Sequence, residues 1–202
     1  MILIPRMHPI ALMHGQAGGT LPPMIRLARA DDGAAVARIY DPVVAGTAIS
    51  FEFDPPGPAE MGHRIAQTLA FAPWLVDERD GVVCGYAYAS KHRERAAYQW
   101  SVDVAVYVDQ AYRRSGVGKG LYEKLFQMLR LQGFYTAHAG VTLPNAASVG
   151  LHESLGFQPV GTYRGVGFKL GSWHDVGWWQ LALRDRSGAP APPKPMAETG
   201  ML

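Results

Sequence analysis

The sequence holds one cysteine, no long apolar run and almost no charge imbalance, and each scarcity excludes something. Cys84 has no second cysteine with which to form an internal disulfide, which fits a reducing compartment, the cytoplasm. No apolar run approaches the roughly 20 residues a bilayer demands, so no membrane association is expected. The 19 Lys and Arg against 17 Asp and Glu leave a formal net charge of +2. That gives no extended basic field for nucleic acid. The basic residues cluster locally instead, at Lys91 to Arg95 and at Arg113-Arg114. The seven histidines are scattered and the cysteine has no neighbour at ligand spacing, so no metal site is expected. There is no internal repeat.

What is present suffices for one domain: 202 residues, 48% of them hydrophobic. Residues 1–23 contain short apolar pieces broken by Pro5, Arg6, His8 and Pro9, and make a poor signal peptide. They read as an N-terminal extension, non-native or disordered. Met24 opens the folded unit, expected over 24–185. Residues 186–202, rich in Pro, Gly and Ala, read as a disordered tail.

Within that unit, "MIRLARA" and "AISFEF" alternate as strands, and Asp31 and Asp32 precede a helix with Val36, Ile39, Tyr40 and Val43 on one face. "PAEMGHRIAQTLAF" predicts a second helix. "WLVDERDGVVCGYAYAS" predicts a hairpin turning at Asp80-Gly81. Then follow a strand in "YQWSVDVAVYV", a helix from about Gly116 to Gln132, a strand at "YTAHAGVT" and a short helix in "NAASVGLHESLGF". Two closing strands lie in "QPVGTYRG" and "DVGWWQLAL". Hairpins among irregularly alternating helices and strands imply a mixed α/β sheet, not a doubly wound one.

The stretch "DQAYRRSGVGKGLY" looks at first like a P-loop. That motif requires a glycine where Arg113 stands and a Ser or Thr where Gly120 stands, so it fails at both ends. The local physics still suits a phosphate. Glycines before a helix N-terminus let an anion approach unpaired N–H groups, and Arg113 and Arg114 add positive charge. The same residues also fit an ordinary helix start with solvated arginines.

Arg113, Gly116 and Gly118 after an apolar strand, with "NAASVGLHESLGF" downstream, resemble the two markers of the GCN5-related N-acetyltransferase superfamily. "RERAAYQWSVDVAVYV", "LPNAASVGLHESLGF" and "GFKLGSWHDVGWWQLAL" resemble, more narrowly, its phosphinothricin and methionine sulfone/sulfoximine acetyltransferases. The resemblance runs from about Met24 to Leu183. It implies a mostly antiparallel mixed sheet flanked by helices, acetyl-CoA as co-substrate without a metal, a small amino-acid-like amine as acceptor, and a homodimer.

It also implies residue roles. Arg113, Arg114, Ser115, Gly116, Val117, Gly118 and Lys119 would hold the pyrophosphate. The backbone of Val106, Tyr107 and Val108 would hold the pantetheine arm, with Asn145 bonding it or merely capping a helix. Asp103 stands where the subgroup has a glutamate general base, shorter by one methylene, with Glu94 as a second candidate. His152 occupies the position of the acid that protonates the leaving thiolate, or is structural. Arg93, Arg95 and Tyr98 would bind the acceptor's anionic group, and Phe51 would wall the pocket. His174 and Asp175, adjacent on a strand, point to opposite faces and cannot act as a pair. Alternatives are a different small amine or a protein N-terminus as acceptor, or an acetyl-CoA sensor without catalysis.

Overall fold

The Asp80-Gly81 turn forms as its sequence requires. Both residues take positive φ, 50° and 77°, and join β2 (Trp74–Arg79) to β3 (Val82–Lys91) with a two-residue loop. This hairpin lies inside a seven-stranded sheet in a computed structural model that describes residues 23–200. The expectation for residues 1–23 falls almost wholly outside that range. The remaining strands are β1 (Met24–Leu27), β4 (Ser101–Val108), β5 (Thr136–Leu143), β6 (Gln158–Lys169) and β7 (Ser172–Ala182). Their order is β1-β2-β3-β4-β5-β7-β6, antiparallel throughout except where β4 meets β5. The mixed, mostly antiparallel α/β architecture is the one the sequence implies.

Period-2 alternation gives the sheet two apolar faces. Val102 and Val104 of β4, with Ala137, Ala139 and Val141 of β5, pack under α3 (Val117–Gln132) through Leu121, Leu125 and Leu129. Phe157, just after α4 (Ala146–Ser154), joins the same cluster. The opposite face meets α1 (Gly33–Gly46) and α2 (Gly57–Phe71), where Val36, Ile39, Tyr40 and Ile65 cover Trp74, Val76 and Tyr86. The two helices approach backbone to backbone: a Cβ on Gly33 would stand 2.4 Å from the carbonyl oxygen of Pro58.

Two expectations need correction. "AISFEF" is not a strand; residues 47–56 form an irregular loop. Its polar groups bond side chains instead of a ladder. Glu52 N–H donates to Ser50 Oγ, and the buried Lys169 ammonium donates to the carbonyls of Val44 and Ser50 at 2.6 and 2.7 Å. The tail differs as well. Its one regular element among the described residues is a single 3-10 turn over Met196–Glu198, and Met196 is only 1% exposed and belongs to the α3-side core. The tail's carbonyls are used: Trp100 Nε1–H donates to Ala191 and the Gln132 amide donates to Lys194. Composition describes how little the segment can bury, and one methionine on a backbone restrained by four prolines is enough to dock it.

Met196→Ala is therefore expected to lower unfolding free energy by about 2–5 kcal/mol, the range for emptying a buried large side chain. Urea unfolding monitored by tryptophan fluorescence measures it. A change within experimental error would return the tail to the solvent.

Candidate active site

The site follows from where β4 and β5 stop pairing. Their parallel ladder has three steps, Ser101↔Thr136, Val102↔Ala137 and Asp103↔His138, and then the strands part. β4 stays bonded to β3 as far as Val108↔Gly85, and β5 to β7 as far as Leu143↔Asp175. Beyond Asp103, each strand therefore presents an unpaired edge to the gap. A cleft of about 990 Å³ fills it, walled by Val104–Val108, by Gly140–Thr142 and by α3 and α4. Val43 and Ile49, from α1 and the loop after it, also line the cleft, so it passes from one face of the sheet towards the other. Val106, Tyr107 and Val108 lie on this edge, where an extended ligand can add as a strand.

At the outer end of the cleft, Arg114 and Gly116 take positive φ, 59° and 86°. Gly116 is the N-cap of α3 and provides no side-chain cap, so the first N–H groups of the helix remain available to an anion. A Cβ on Gly118 would lie 3.3 Å from Leu151 Cδ2 and 3.5 Å from Val108 Cγ2. Glycine there keeps the mouth between β4 and α4 open. Arg113, Arg114, Ser115 and Lys119 are exposed around it, with Ser115 Oγ–H donating to the Tyr112 carbonyl and Lys119 near Glu123. Asn145 lines the cleft and also caps α4, its Oδ1 accepting from Ser148 N–H at 3.1 Å.

His152 also lines the cleft, but both of its ring nitrogens are engaged. Nδ1 lies 2.7 Å from the Ser148 carbonyl, which can only accept, so Nδ1 carries the proton. Nε2 then accepts from the Tyr122 hydroxyl at 3.0 Å. Burial lowers the His152 pKa, against a smaller opposing effect of the Ser148 bond. The residue is a neutral imidazole whose one N–H is committed to the backbone, which is not the arrangement of a free acid.

Asp103 stands at the fork itself. Burial raises its pKa, and the hydrogen bond from His92 pulls the other way. Its Oδ1 lies 2.6 Å from His92 Nδ1. The His92 ring stacks on His138, centroids 4.2 Å apart, and meets Tyr98 and Trp178 edge-on at 5.8 and 6.2 Å. Arg93 donates to the His92 carbonyl and lies over the Trp178 ring at 5.8 Å. The structure thus brings Asp103, Arg93 and Tyr98 together. Arg95 is exposed at the start of a short turn over Ala96–Tyr98. Glu94 is paired with Lys91 and its side chain is 85% exposed, facing solvent. Phe51 packs over Gly167 and beside His174 instead of in this cluster. His174 bonds the Lys169 carbonyl and Asp175 pairs with Arg164, so these neighbours do part company.

Sequence reasoning missed His92, His138, Trp178 and Tyr122. His92 lies within the basic cluster from Lys91 to Arg95. His138 and Trp178 become neighbours only once the β4–β5–β7 register is known. Among the described residues no group of three or more His, Cys, Asp or Glu is placed to hold a metal, and no helix is long and apolar enough to cross a membrane.

A model of the acetyltransferase (GNAT) family matches residues 18–157. Phosphinothricin N-acetyltransferase of Streptomyces viridochromogenes is 42% identical over 175 residues, 87% of this chain and 93% of that protein. L-methionine sulfoximine/L-methionine sulfone acetyltransferase of Salmonella typhimurium is 36% identical over 171 residues, 82% of this chain and 97% of that protein. Among solved structures, a GNAT superfamily phosphinothricin acetyltransferase from Sinorhizobium meliloti in complex with AcCoA superposes with TM-score 0.79 at 31% identity, covering 85% of this chain and 94% of that one.

Burial, followed by the nearby positive charges of His92, Arg93 and Arg186, lowers the His138 pKa from 6.5 to about 4. The unfolded chain binds this proton first, so the stabilisation is whole above about 6.5 and is lost as pH falls towards about 4. His138→Gln should flatten that part of the stability–pH curve in urea titrations between these limits. Identical slopes for both proteins would contradict the assignment.

Proposed function

The chain belongs to the acetyltransferase (GNAT) family, and from that premise we propose that it acetylates the amino group of a small anionic amino-acid-like acceptor of the phosphinothricin or methionine sulfoximine type. It is an acetyl-CoA-dependent N-acetyltransferase that acts on a small amine. One observation carries the finer reading: the cleft runs from the uncapped α3 N-terminus along the gap between β4 and β5 as far as Val104, and the next residue, Asp103, stands beside His92, with Arg93 over Trp178 close by.

The residues present fit acetyl-CoA. The N–H groups at the start of α3, opened by Gly116 and Gly118 and flanked by Arg113, Arg114, Ser115 and Lys119, would hold the pyrophosphate. The free edge of Val106–Val108 and the Asn145 amide would hold the pantetheine arm. When bound, the co-substrate supplies the acetyl group as a thioester. An ammonium of pKa about 8 must lose a proton before it can attack, and Asp103 with the His92 ring bonded to it forms the basic centre for that step. Arg93, with Arg95 at the rim, pairs with the acceptor's anionic group, while Tyr98 and Trp178 supply its apolar walls. Phe51 would bound the pocket only if the 47–56 loop moved towards it. His152 serves in this reading as the anchor of Tyr122 and α4 at the cleft wall.

The clustered arginines favour a small anion over a protein N-terminus. A homodimer and a cytoplasmic location belong to the same proposal. β6 and β7 expose Val160, Tyr163, Val166, Phe168, Leu170 and Trp173, each more than 50% accessible, and so large an apolar face suits a second copy. The lone cysteine suits a reducing compartment.

Thiol release from acetyl-CoA, followed with phosphinothricin, methionine sulfone, methionine sulfoximine and a model N-terminal peptide, tests the acceptor. The three small anions should be turned over and the peptide should not; the reverse ranking would overturn the reading. Asp103→Ala should lower kcat on the order of 10²–10⁴-fold while acetyl-CoA affinity is retained. Arg113→Ala should weaken acetyl-CoA binding roughly tenfold or more, by loss of a charged hydrogen bond. In light scattering, Trp173→Glu should halve the mass of a wild-type dimer; a wild type already monomeric would remove the dimer from the proposal.

A further inference from the structure

Asp103 is one methylene shorter than the glutamate its position calls for, and its Oδ1 is not free to meet an amine. It is occupied by His92 at 2.6 Å. Resting on the acetyltransferase reading, we propose that His92 is the catalytic base that takes the proton from the acceptor's ammonium, and that Asp103 and His138 are positioning residues that hold its ring for that task.

The hydrogen bond fixes which nitrogen can act. A carboxylate only accepts, so the neutral imidazole paired with it carries its proton on Nδ1 and its lone pair on Nε2. Among the described residues Nε2 has no hydrogen-bond partner, and the side chain is 13% exposed. The imidazole carries the basic site across the ring and away from β4, which more than replaces the missing methylene. It is also the better base by chemistry. An imidazole is intrinsically a stronger base than a carboxylate, and proton transfer is most efficient between groups of matched basicity.

The surroundings hold both the ring and its charge. From β5, His138 stacks on it at 4.2 Å with planes 16° apart. Burial holds His138 itself neutral near pH 7, so it adds no charge against the imidazolium. From β4, Asp103 balances that charge. Tyr98 meets the ring from the short turn before β4, Trp178 from β7, and Arg93 follows in the chain with its guanidinium turned over Trp178. Of the other charged residues of the segment, Lys91 and Glu94 pair at 3.5 Å on the surface and Arg95 is exposed at the start of the short turn.

The step balances as follows. The ammonium gives one proton to His92 Nε2, which passes it to water. The amine nitrogen then forms its bond to the acetyl carbon, the carbon–sulfur bond breaks with its electron pair staying on sulfur, and the second proton lost by nitrogen ends on that sulfur or in water.

The test separates this dyad from a lone aspartate. His92→Asn keeps a donor for Asp103 and removes the Nε2 lone pair. It should lower kcat/KM about 100-fold or more with acetyl-CoA affinity unchanged, abolish the acidic limb of the pH profile that His92 provides, and recover part of the rate when imidazole is added. A variant within threefold of wild type, keeping that limb, would overturn the proposal and leave Asp103 to act alone. A second readout needs no turnover. In 1H–15N spectra of the protein without acetyl-CoA, His92 should appear at high pH as the Nδ1–H tautomer, and Asp103→Asn should shift its titration. An Nε2–H tautomer would overturn the dyad even if some amine is acetylated. If no panel amine is acetylated while the Nδ1–H tautomer is seen, the acceptor reading fails and the pair stands.

Discussion

Three residue pairs join β4 to β5, and the site exists because there is no fourth. A parted pair of strands leaves backbone donors and acceptors without partners, which a dry interior would not tolerate. Here they face a cleft that admits water or an extended ligand. Each strand is braced on its far side, β4 by β3 over seven pairs and β5 by β7 over eight, so the gap lies between two stiff half-sheets. Everything chemical in the molecule is placed relative to this fork. The uncapped start of α3 lies beyond its mouth, and the Asp103–His138 step closes its inner end.

Much of this was legible in the sequence because local chemistry dictates it. Asp80-Gly81 makes its turn with little outside help, and the glycines before α3 declare a helix start that must be approached closely. Asp103, Asn145 and the Val106–Val108 edge were singled out by the resemblance of their segments to the acetyltransferases. What could not be read was whatever depends on register. His138 looks like any strand histidine until β5 is set beside β4. Trp178 joins it only after β7 is laid antiparallel on β5. The P-loop likeness had the right physics and the wrong ligand, since a cradle without a hydroxyl after the lysine has no place for magnesium.

The failures share a cause. "AISFEF" alternates as well as a strand should, but tertiary partners override that pattern. Lys169, from the far end of β6, donates to two carbonyls around the loop, and Arg64 of α2 grips Glu52 with both nitrogens at 2.8 and 3.0 Å. Tyr40 of α1 donates to the same carboxylate at 2.7 Å. Buried polar groups are costly unless bonded, so once the helices fix these partners the loop has no freedom to form a ladder. The tail fails in the opposite sense: too polar to fold alone, it needs only a prepared slot for Met196.

Three histidines near the fork show how far environment decides what a residue can do. His152 has both nitrogens bound, one to a carbonyl and one to a hydroxyl, and can neither give nor take a proton without breaking a buried bond. His138 is pressed beneath another ring and held neutral by burial, so it is available only as a surface. His92 has one nitrogen on a carboxylate and the other open. Only that last arrangement creates a base whose conjugate acid is already paired when it forms. Side-chain identity alone points to His152, because it sits in a recognisable motif. The hydrogen bonds favour the proposed His92–Asp103 pair over His152 as the seat of proton transfer.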